Sequence, residues 1–258
     1  MGYEKELDAV KKLVREVGSQ IMRIYETEFS HDIKHDTSPV TEADLLSDKL
    51  LREGLKDFNY GIISEEVREG LPDHEKVWVI DPLDGTKDFL NRTGEFSIMV
   101  GLLDKGVPVM GVVYLPVLDK IYYASAGNGS FVEHEGKENR LSVKASGLSR
   151  MVISRNHFSE REKEIARSLN VHNFIKCGSI GIKLGRISEG EADFYLNTSD
   201  KLGAWDCCAP EVILREAGGI VFNRTGDDLI YNDRRMNGGL IATNGSDKHT
   251  IIQQIARQ

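Results

Sequence analysis

Cysteine is scarce, with three in 258 residues. Cys207 and Cys208 are adjacent and Cys177 is distant, which is neither a disulfide framework nor a zinc spacing. On a helix the adjacent pair would point in different directions, so the three read as small core residues of a reducing compartment. Long apolar runs are also missing: none approaches the ~20 residues that a membrane-spanning helix requires. Met1 to Glu6 lack the basic-then-apolar pattern of a signal peptide, and Glu6 stands where myristoylation prefers Ser or Thr. The expected location is therefore the cytoplasm. Positive charge is in deficit, with 33 Lys and Arg against 41 Asp and Glu, a formal net charge of −8. With no basic patch interleaved with aromatics, that balance argues against nucleic acid as a partner. It would also repel a phosphorylated small molecule, unless bound cations invert the charge locally.

What is present is ordinary for a globular protein: 40% hydrophobic and 29% charged residues, in a chain long enough for one large or two modest subdomains. Leu7, Val10, Val14, Val17, Ile21 and Ile24 recur at helical spacing, predicting a helix over about 4–27, with a second over 41–57. Short β-rich runs follow at about 60–63, 77–81, 95–103, 107–116, 119–125 and 129–134, separated by turn signals such as Lys105-Gly106 and Asn128-Gly129. This pattern predicts an antiparallel sheet backed by two helices. Beyond residue 147 strands (150–154, 173–176, 192–196, 219–223, 239–243) alternate with helices (159–169, 179–189, 205–217, 246–257), as in a smaller α/β half. The expected division is 1–147 and 148–258. No repeat, low-complexity stretch or linker separates the halves.

The most informative segment is Trp78 to Lys87, in which the apolar run Val77–Ile80 reads as a buried strand and ends in Asp81-Pro82-Leu83-Asp84-Gly85-Thr86. Two carboxylates can hold hard divalent cations through oxygen, and a Gly-Thr turn can hold phosphate by its N–H groups. Alone, the segment could equally be a strand-to-turn junction in which Asp caps the next element. Three further segments accompany it: Thr41-Glu42-Ala43-Asp44, Ile63-Ser64-Glu65-Glu66, and Trp205-Asp206 opening an apolar helix. Thr41 and Asp206 each have a plainer reading as helix caps.

In this order, the four segments resemble the signature of the magnesium-dependent, lithium-sensitive phosphatases. That superfamily includes inositol monophosphatases, fructose-1,6-bisphosphatases and 3′(2′),5′-bisphosphate nucleotidases. The resemblance runs from about residue 5 to 257. It implies an α/β (α+β) fold, a layered αβαβα sandwich with the site between the halves, where small-molecule clefts are common. Asp81–Asp88, Asn91–Ser97, Ser154-Arg155-Asn156-His157, Trp205–Leu214 and Met236–Thr243 look most like the nucleotidase branch, whose substrate is adenosine 3′,5′-bisphosphate (PAP).

Four carboxylates brought together would repel strongly, each pair by about 4 kcal/mol at 4 Å and an effective dielectric near 20. The cluster must take up protons or bind cations, and magnesium suits its oxygen ligands. The resemblance implies that Glu65, Asp81 and the Leu83 carbonyl hold one magnesium. Asp81, Asp84 and Asp206 would hold a second, with room for a third ion near Glu65. Asp44 and Thr86 would orient and deprotonate the attacking water, with Glu65 beside them. The Gly85 and Thr86 N–H groups would take charge from the phosphoryl oxygens.

For the rest of the substrate, the resemblance points to Lys34, Arg155, His157, Gly178, Ser179 and Lys183, with Asp206 at the border. Lys34 also reads as a solvated surface lysine, Gly178-Ser179 as a plain helix start, His157 as a half-buried loop histidine, and Lys183 as an exposed helix lysine. One departure stands out: several nucleotidases carry an Arg that helps to hold the 5′-phosphate where this chain has Asn197, and Arg155 is the candidate substitute. The readings are therefore a phosphatase acting on PAP, the same chemistry on inositol monophosphate or fructose 1,6-bisphosphate, or a silent scaffold. The scaffold conflicts with an intact set of acids. The expected partner is a small phosphorylated substrate, with no nucleic acid or membrane, on a monomer or homodimer inhibited by lithium.

Overall fold

The computed structural model describes residues 2–27, 31–33, 39–67 and 70–257. Helix α1 (Glu4–Tyr25) precedes a two-stranded ribbon, β1 (His31–Ile33) and β2 (Pro39–Thr41), and helix α2 (Glu42–Leu55). Then come β3 (Gly61–Ser64), β4 (Lys76–Asp84), the short α3 (Thr86–Leu90), β5 (Ser97–Asp104), β6 (Val107–Leu115), β7 (Lys120–Ser125), β8 (Gly129–His134) and β9 (Lys137–Leu141). The remainder is β10 (Arg150–Ser154), α4 (Glu160–Ser168), β11 (Asn173–Cys177), α5 (Ile180–Ser188), β12 (Phe194–Asn197), α6 (Ala204–Glu216), β13 (Ile220–Phe222), β14 (Leu240–Thr243) and α7 (Lys248–Ala256). Among the described residues no helix is long and apolar enough to cross a membrane.

Strands β3 to β9 form one seven-stranded sheet in sequence order. The expected antiparallel arrangement fails at one edge, where β3 runs parallel to β4. Residues 65–75 are long enough to return the chain to the same end of the sheet, which a parallel pair requires. Strand β9 escaped the sequence reading because its Lys137-Glu138-Asn139-Arg140 run is exposed and largely charged, as suits an edge strand protected against further pairing. The second sheet has the order β11-β10-β12-β14-β13. It is parallel among β10, β11 and β12 and antiparallel around β14.

Alternation along each strand builds the layers. On β4, Trp78 and Ile80 face α1 and α2, packing with Val10, Val14, Ile21 and Leu51. Val77 and Val79 face the other way, into a core shared with Leu184 and Ile187 of α5 and with Cys207, Cys208 and Val212 of α6. The second sheet turns Val152, Tyr195 and Ala242 toward that same middle core. Its other face carries Met151, Ile153, Phe194 and Ile241 against Ile165 of α4 and Ile251 of α7. The result is the expected αβαβα sandwich, with α5 and α6 as its central layer.

Gly101 and Gly111 sit opposite each other on β5 and β6, and together they seat α6. A Cβ at Gly111 would lie 2.2 Å from the Ala209 carbonyl oxygen, and one at Gly101 would lie 2.5 Å from Cys208 Sγ. The helix that carries Asp206 therefore rests on bare backbone. Gly111→Ala is expected to lower stability by about 3 kcal/mol in urea unfolding, because backbone cannot yield as a flexible side chain can. An unchanged unfolding midpoint would show that α6 lifts away freely.

Candidate active site

A regular strand would point Asp81 and Asp84 to opposite faces, since they are three residues apart. Between them, however, the β4–β5 register shifts, with Asp81 opposite Met99 and Asp84 opposite Ser97. Three steps on β4 thus span two on β5, and the extra residue brings both acids to the side facing the middle layer. Pro82 is tolerated inside this bulge because the ladder needs no N–H there. Gly85 follows at φ +98°, in the left-handed region, with only 3.0 Å between its Cβ direction and the Glu95 carbonyl. A side chain there would be strained as well as crowded.

The bulge meets the first turn of α6. Asp81, Asp84 and Asp206 present carboxylate oxygens that all lie within 4.8 Å of one another. Asp81 is only 1% exposed, and one of its oxygens accepts the Leu83 N–H at 3.1 Å. The capping role of Asp206 holds too, since its Oδ2 accepts the Gly203 N–H at 2.6 Å. Parallel pairing of β3 and β4 delivers Glu65 alongside, its N–H donating to the Ile80 carbonyl at 3.2 Å.

Electrostatics show how tightly these acids are set. Burial, then the charges of Asp84 and Glu65, push the Asp206 carboxyl up to about 8. Asp84 is raised as well, by burial, against the opposing influence of Lys183, Ser179 and the Gly181 N–H. An oxygen-only cluster in which Asp84 and Asp206 both resist ionisation fits a hard divalent cation, which would relieve both the repulsion and the desolvation.

Asp44 lies at the first turn of α2 and is 1% exposed. Thr41 caps this helix as expected, its Oγ accepting the Ala43 and Asp44 N–H groups. The Thr41 N–H and O–H both donate to Asp44 Oδ2, at 2.8 and 2.5 Å. The other oxygen, Oδ1, accepts the Thr86 O–H at 3.1 Å, and Thr86 Oγ also lies 3.3 Å from the Leu83 carbonyl. Two residues separated by 42 positions are thus a bonded pair beside the acid cluster. Helix α2 is tied to the sheet here by Ser47 Oγ–H to the Pro82 carbonyl at 2.7 Å and Ser64 Oγ–H to Asp48 at 2.5 Å.

Residues 3–258 match the model of the inositol monophosphatase family. The chain belongs to that family. It is 34% identical over 238 residues to the 3′(2′),5′-bisphosphate nucleotidase CysQ of Aggregatibacter actinomycetemcomitans, covering 88% of each chain. To the Escherichia coli K12 protein of the same name it is 34% identical over 235 residues, covering 88% of this chain and 94% of that one. In three dimensions it resembles the crystal structure of CysQ from Bacteroides thetaiotaomicron, a bacterial member of the family, with a TM-score of 0.83 and 28% identity over 95% and 99% of the two chains.

Several residues expected to face the substrate stand otherwise in the structure. Lys34 lies outside the described residues. Lys183 is not an exposed helix lysine: it is 1% exposed, its ammonium donates to the Gly178 carbonyl, and burial lowers its pKa beside Asp84, Asp88 and Asp206. His157 lies in a loop at the surface, with Nε2 3.4 Å from Lys87 Nζ. Partial burial, then the charges of Lys87, Lys183 and Lys201, lowers its pKa below the usual value.

Arg155 is already committed, to Asp88 at 3.0 Å and Glu95 at 2.5 Å. Asn197 organises its own loop, its Oδ1 accepting the Ser199 N–H and O–H at 2.9 and 2.8 Å. The Gly178 N–H donates to Glu95 at 3.1 Å, and Ser179 Oγ–H donates to Asp84 at 2.5 Å. The donors expected to face a ribose or phosphate are therefore turned toward the protein's own acids. Sequence reasoning overlooked Asp88, 1% exposed, which also accepts from Thr93 and Asn156 at 2.9 and 3.2 Å. Both Asp88 and Ser97 stand in stretches that carry the nucleotidase resemblance, but neither was assigned a place in the site.

Proposed function

We propose that this protein is a magnesium-dependent phosphomonoesterase that converts PAP to AMP and inorganic phosphate, working in the cytoplasm. The observation that carries the chemistry is the Asp81–Asp84–Asp206 cluster standing beside the Asp44–Thr86 pair. The choice of PAP follows the nucleotidase relatives at 34% identity over most of the chain.

Glu65, Asp81 and the Leu83 carbonyl would hold one magnesium and Asp81, Asp84 and Asp206 a second, with space for a third ion near Glu65. When bound, the ions neutralise the acids and phosphoryl charge and acidify water. The Thr86 hydroxyl donates its hydrogen bond to Asp44 Oδ1, so its lone pairs accept a hydrogen bond from the attacking water and hold that water in line with phosphorus. As the new P–O bond forms, the water proton passes to Thr86 Oγ and the Thr86 proton to Asp44, while the bond to the 3′-oxygen breaks and that oxygen leaves as an alkoxide that takes a proton from solvent to give AMP. The Gly85 and Thr86 N–H groups, at the turn opening α3, support the phosphoryl oxygens. Lys183 balances the acids from beneath, and His157 borders the space for the rest of the nucleotide.

A second reading, the same chemistry on inositol 1-phosphate or fructose 1,6-bisphosphate, is favoured by Asn197 together with the double commitment of Arg155. Phosphate release from the three substrates side by side separates the two. The kcat/KM for PAP is expected to exceed the others by about tenfold or more, a difference of ~1.4 kcal/mol in transition-state binding. Preference for a sugar or inositol phosphate would reject the nucleotidase reading and keep the metal chemistry.

A further inference from the structure

Asp84 and Ser97 face each other across β4 and β5, and the N-terminus of α5 closes over both. Ser179 Oγ–H donates to Asp84 Oδ2 at 2.5 Å, and the Gly181 N–H donates to the same oxygen at 3.0 Å. Ser179 Oγ in turn accepts the Ile182 N–H at 3.1 Å and lies 2.8 Å from Ser97 Oγ. Both serines are fully buried.

The direction of the chain of bonds follows from the donor inventory. The Ser179 hydroxyl donates to Asp84 Oδ2, which uses its single proton. With one lone pair of Ser179 taken by Ile182, the other accepts the Ser97 proton. The order is Ser97 to Ser179 to Asp84, and every valence of Ser179 is used inside the protein. Nothing remains on its hydroxyl for a substrate.

The close approach is itself built. A Cβ at Gly181 would lie 2.7 Å from Met99 Sδ and from Val113 Cγ1, and one at Gly178 would lie 2.5 Å from the Asp88 carboxyl carbon. Glycine at both positions lets the positive end of α5 reach the bulge of β4.

We infer that Ser97 and Ser179 form a positioning relay for the metal centre: they hold one oxygen of Asp84 at the α5 N-terminus and leave the other to the cation cluster. Ser179 is then a residue that sets magnesium affinity and not a contact for ribose or phosphate. Outer hydrogen bonds that orient a ligand group commonly govern metal affinity in this way. The inference rests on the reading of Asp84 as a metal ligand, and its test keeps the two apart.

The experiment is calorimetric titration of magnesium chloride into chelator-stripped wild-type protein and into Ser179→Ala, Ser97→Ala and the double variant, with PAP hydrolysis at saturating magnesium as the second readout. Ser179→Ala is expected to weaken magnesium binding by about tenfold. Ser97→Ala should weaken it by about threefold, and the double variant no more than Ser179→Ala alone, because Ser97 acts only through Ser179. The KM for PAP at saturating magnesium should stay at the wild-type value. Unchanged magnesium affinity in Ser179→Ala overturns the inference, whether or not KM rises. If Ser179→Ala does not fold, Ser97→Ala decides, and wild-type affinity there overturns it equally. Wild-type protein that binds no magnesium would instead overturn the metal reading itself.

Discussion

Asp84→Asn is expected to lower kcat/KM for phosphate release by about a thousandfold, or ~4 kcal/mol of transition-state stabilisation. The amide retains an oxygen that can accept from Ser179 and Gly181, so the α5 contact and the fold should survive. Its NH₂ group would then face Asp81 and Asp206, where a cation needs an oxygen. Burial is the main reason that Asp206 rises to about 8, and removing the Asp84 charge relieves the repulsion that adds to it. The metal-free variant should therefore melt higher than metal-free wild type, while the rise in melting temperature on adding magnesium shrinks or disappears. Lost activity with gained metal-free stability is a combination that general damage does not produce. Full activity at ordinary magnesium would sink the assignment of Asp84.

Thr86→Val should reduce kcat by about 10²–10³-fold, the usual contribution of a positioned proton acceptor. Valine keeps the shape of threonine and removes the hydroxyl between the reacting water and Asp44. Magnesium affinity and the KM for substrate are expected to change little, because the acid cluster is untouched. Asp44→Asn should give a similar loss of kcat and also destabilise by ~1 kcal/mol, since Asp44 accepts the two Thr41 bonds that open α2. The double variant should be hardly worse than either single one, as for residues that act as a unit. A kcat within about twofold of wild type in Thr86→Val would remove the pair from the proton path, because a shared acceptor is worth far more than that.

Both predictions concern residues that the sequence named, Asp84 through local chemistry and Asp44 with Thr86 through the family resemblance. Paired acids around Pro82 and before Gly85-Thr86 are costly unless they serve a charge, and that cost is visible without coordinates. The helices and most strands were legible for a similar reason: a 3.6- or 2-residue apolar period is written directly into α1, α2 and β4. The charged edge strand β9 was not legible, because alternation marks burial and β9 has little.

The side of the site that faces the bulk of the substrate was read less well. Ile180, Ile182, Leu184 and Ile187 around Lys183 mark a helix with a broad apolar surface, but only the place of α5 as the central layer of a sandwich shows that the lysine is buried with them. Arg155 and Ser179 offer donors that suit a ligand equally well on paper. Only their distances to Asp88, Glu95 and Asp84 show that these donors are spent within the protein.

By itself the sequence determined the identity of the acids, their cation-seeking chemistry and most of the helices and strands, because each depends on residue type and short-range period, while the αβαβα order of layers was implied only by the family resemblance. The tertiary structure alone decided that Asp81 and Asp84 share a face, since a one-residue register shift against β5 reverses the parity of the strand. It alone set Asp206 among them, since a helix more than a hundred residues away can press onto the sheet only where Gly101 and Gly111 lie opposite each other. Register and close approach are properties of paired backbones, and no single stretch of chain encodes them.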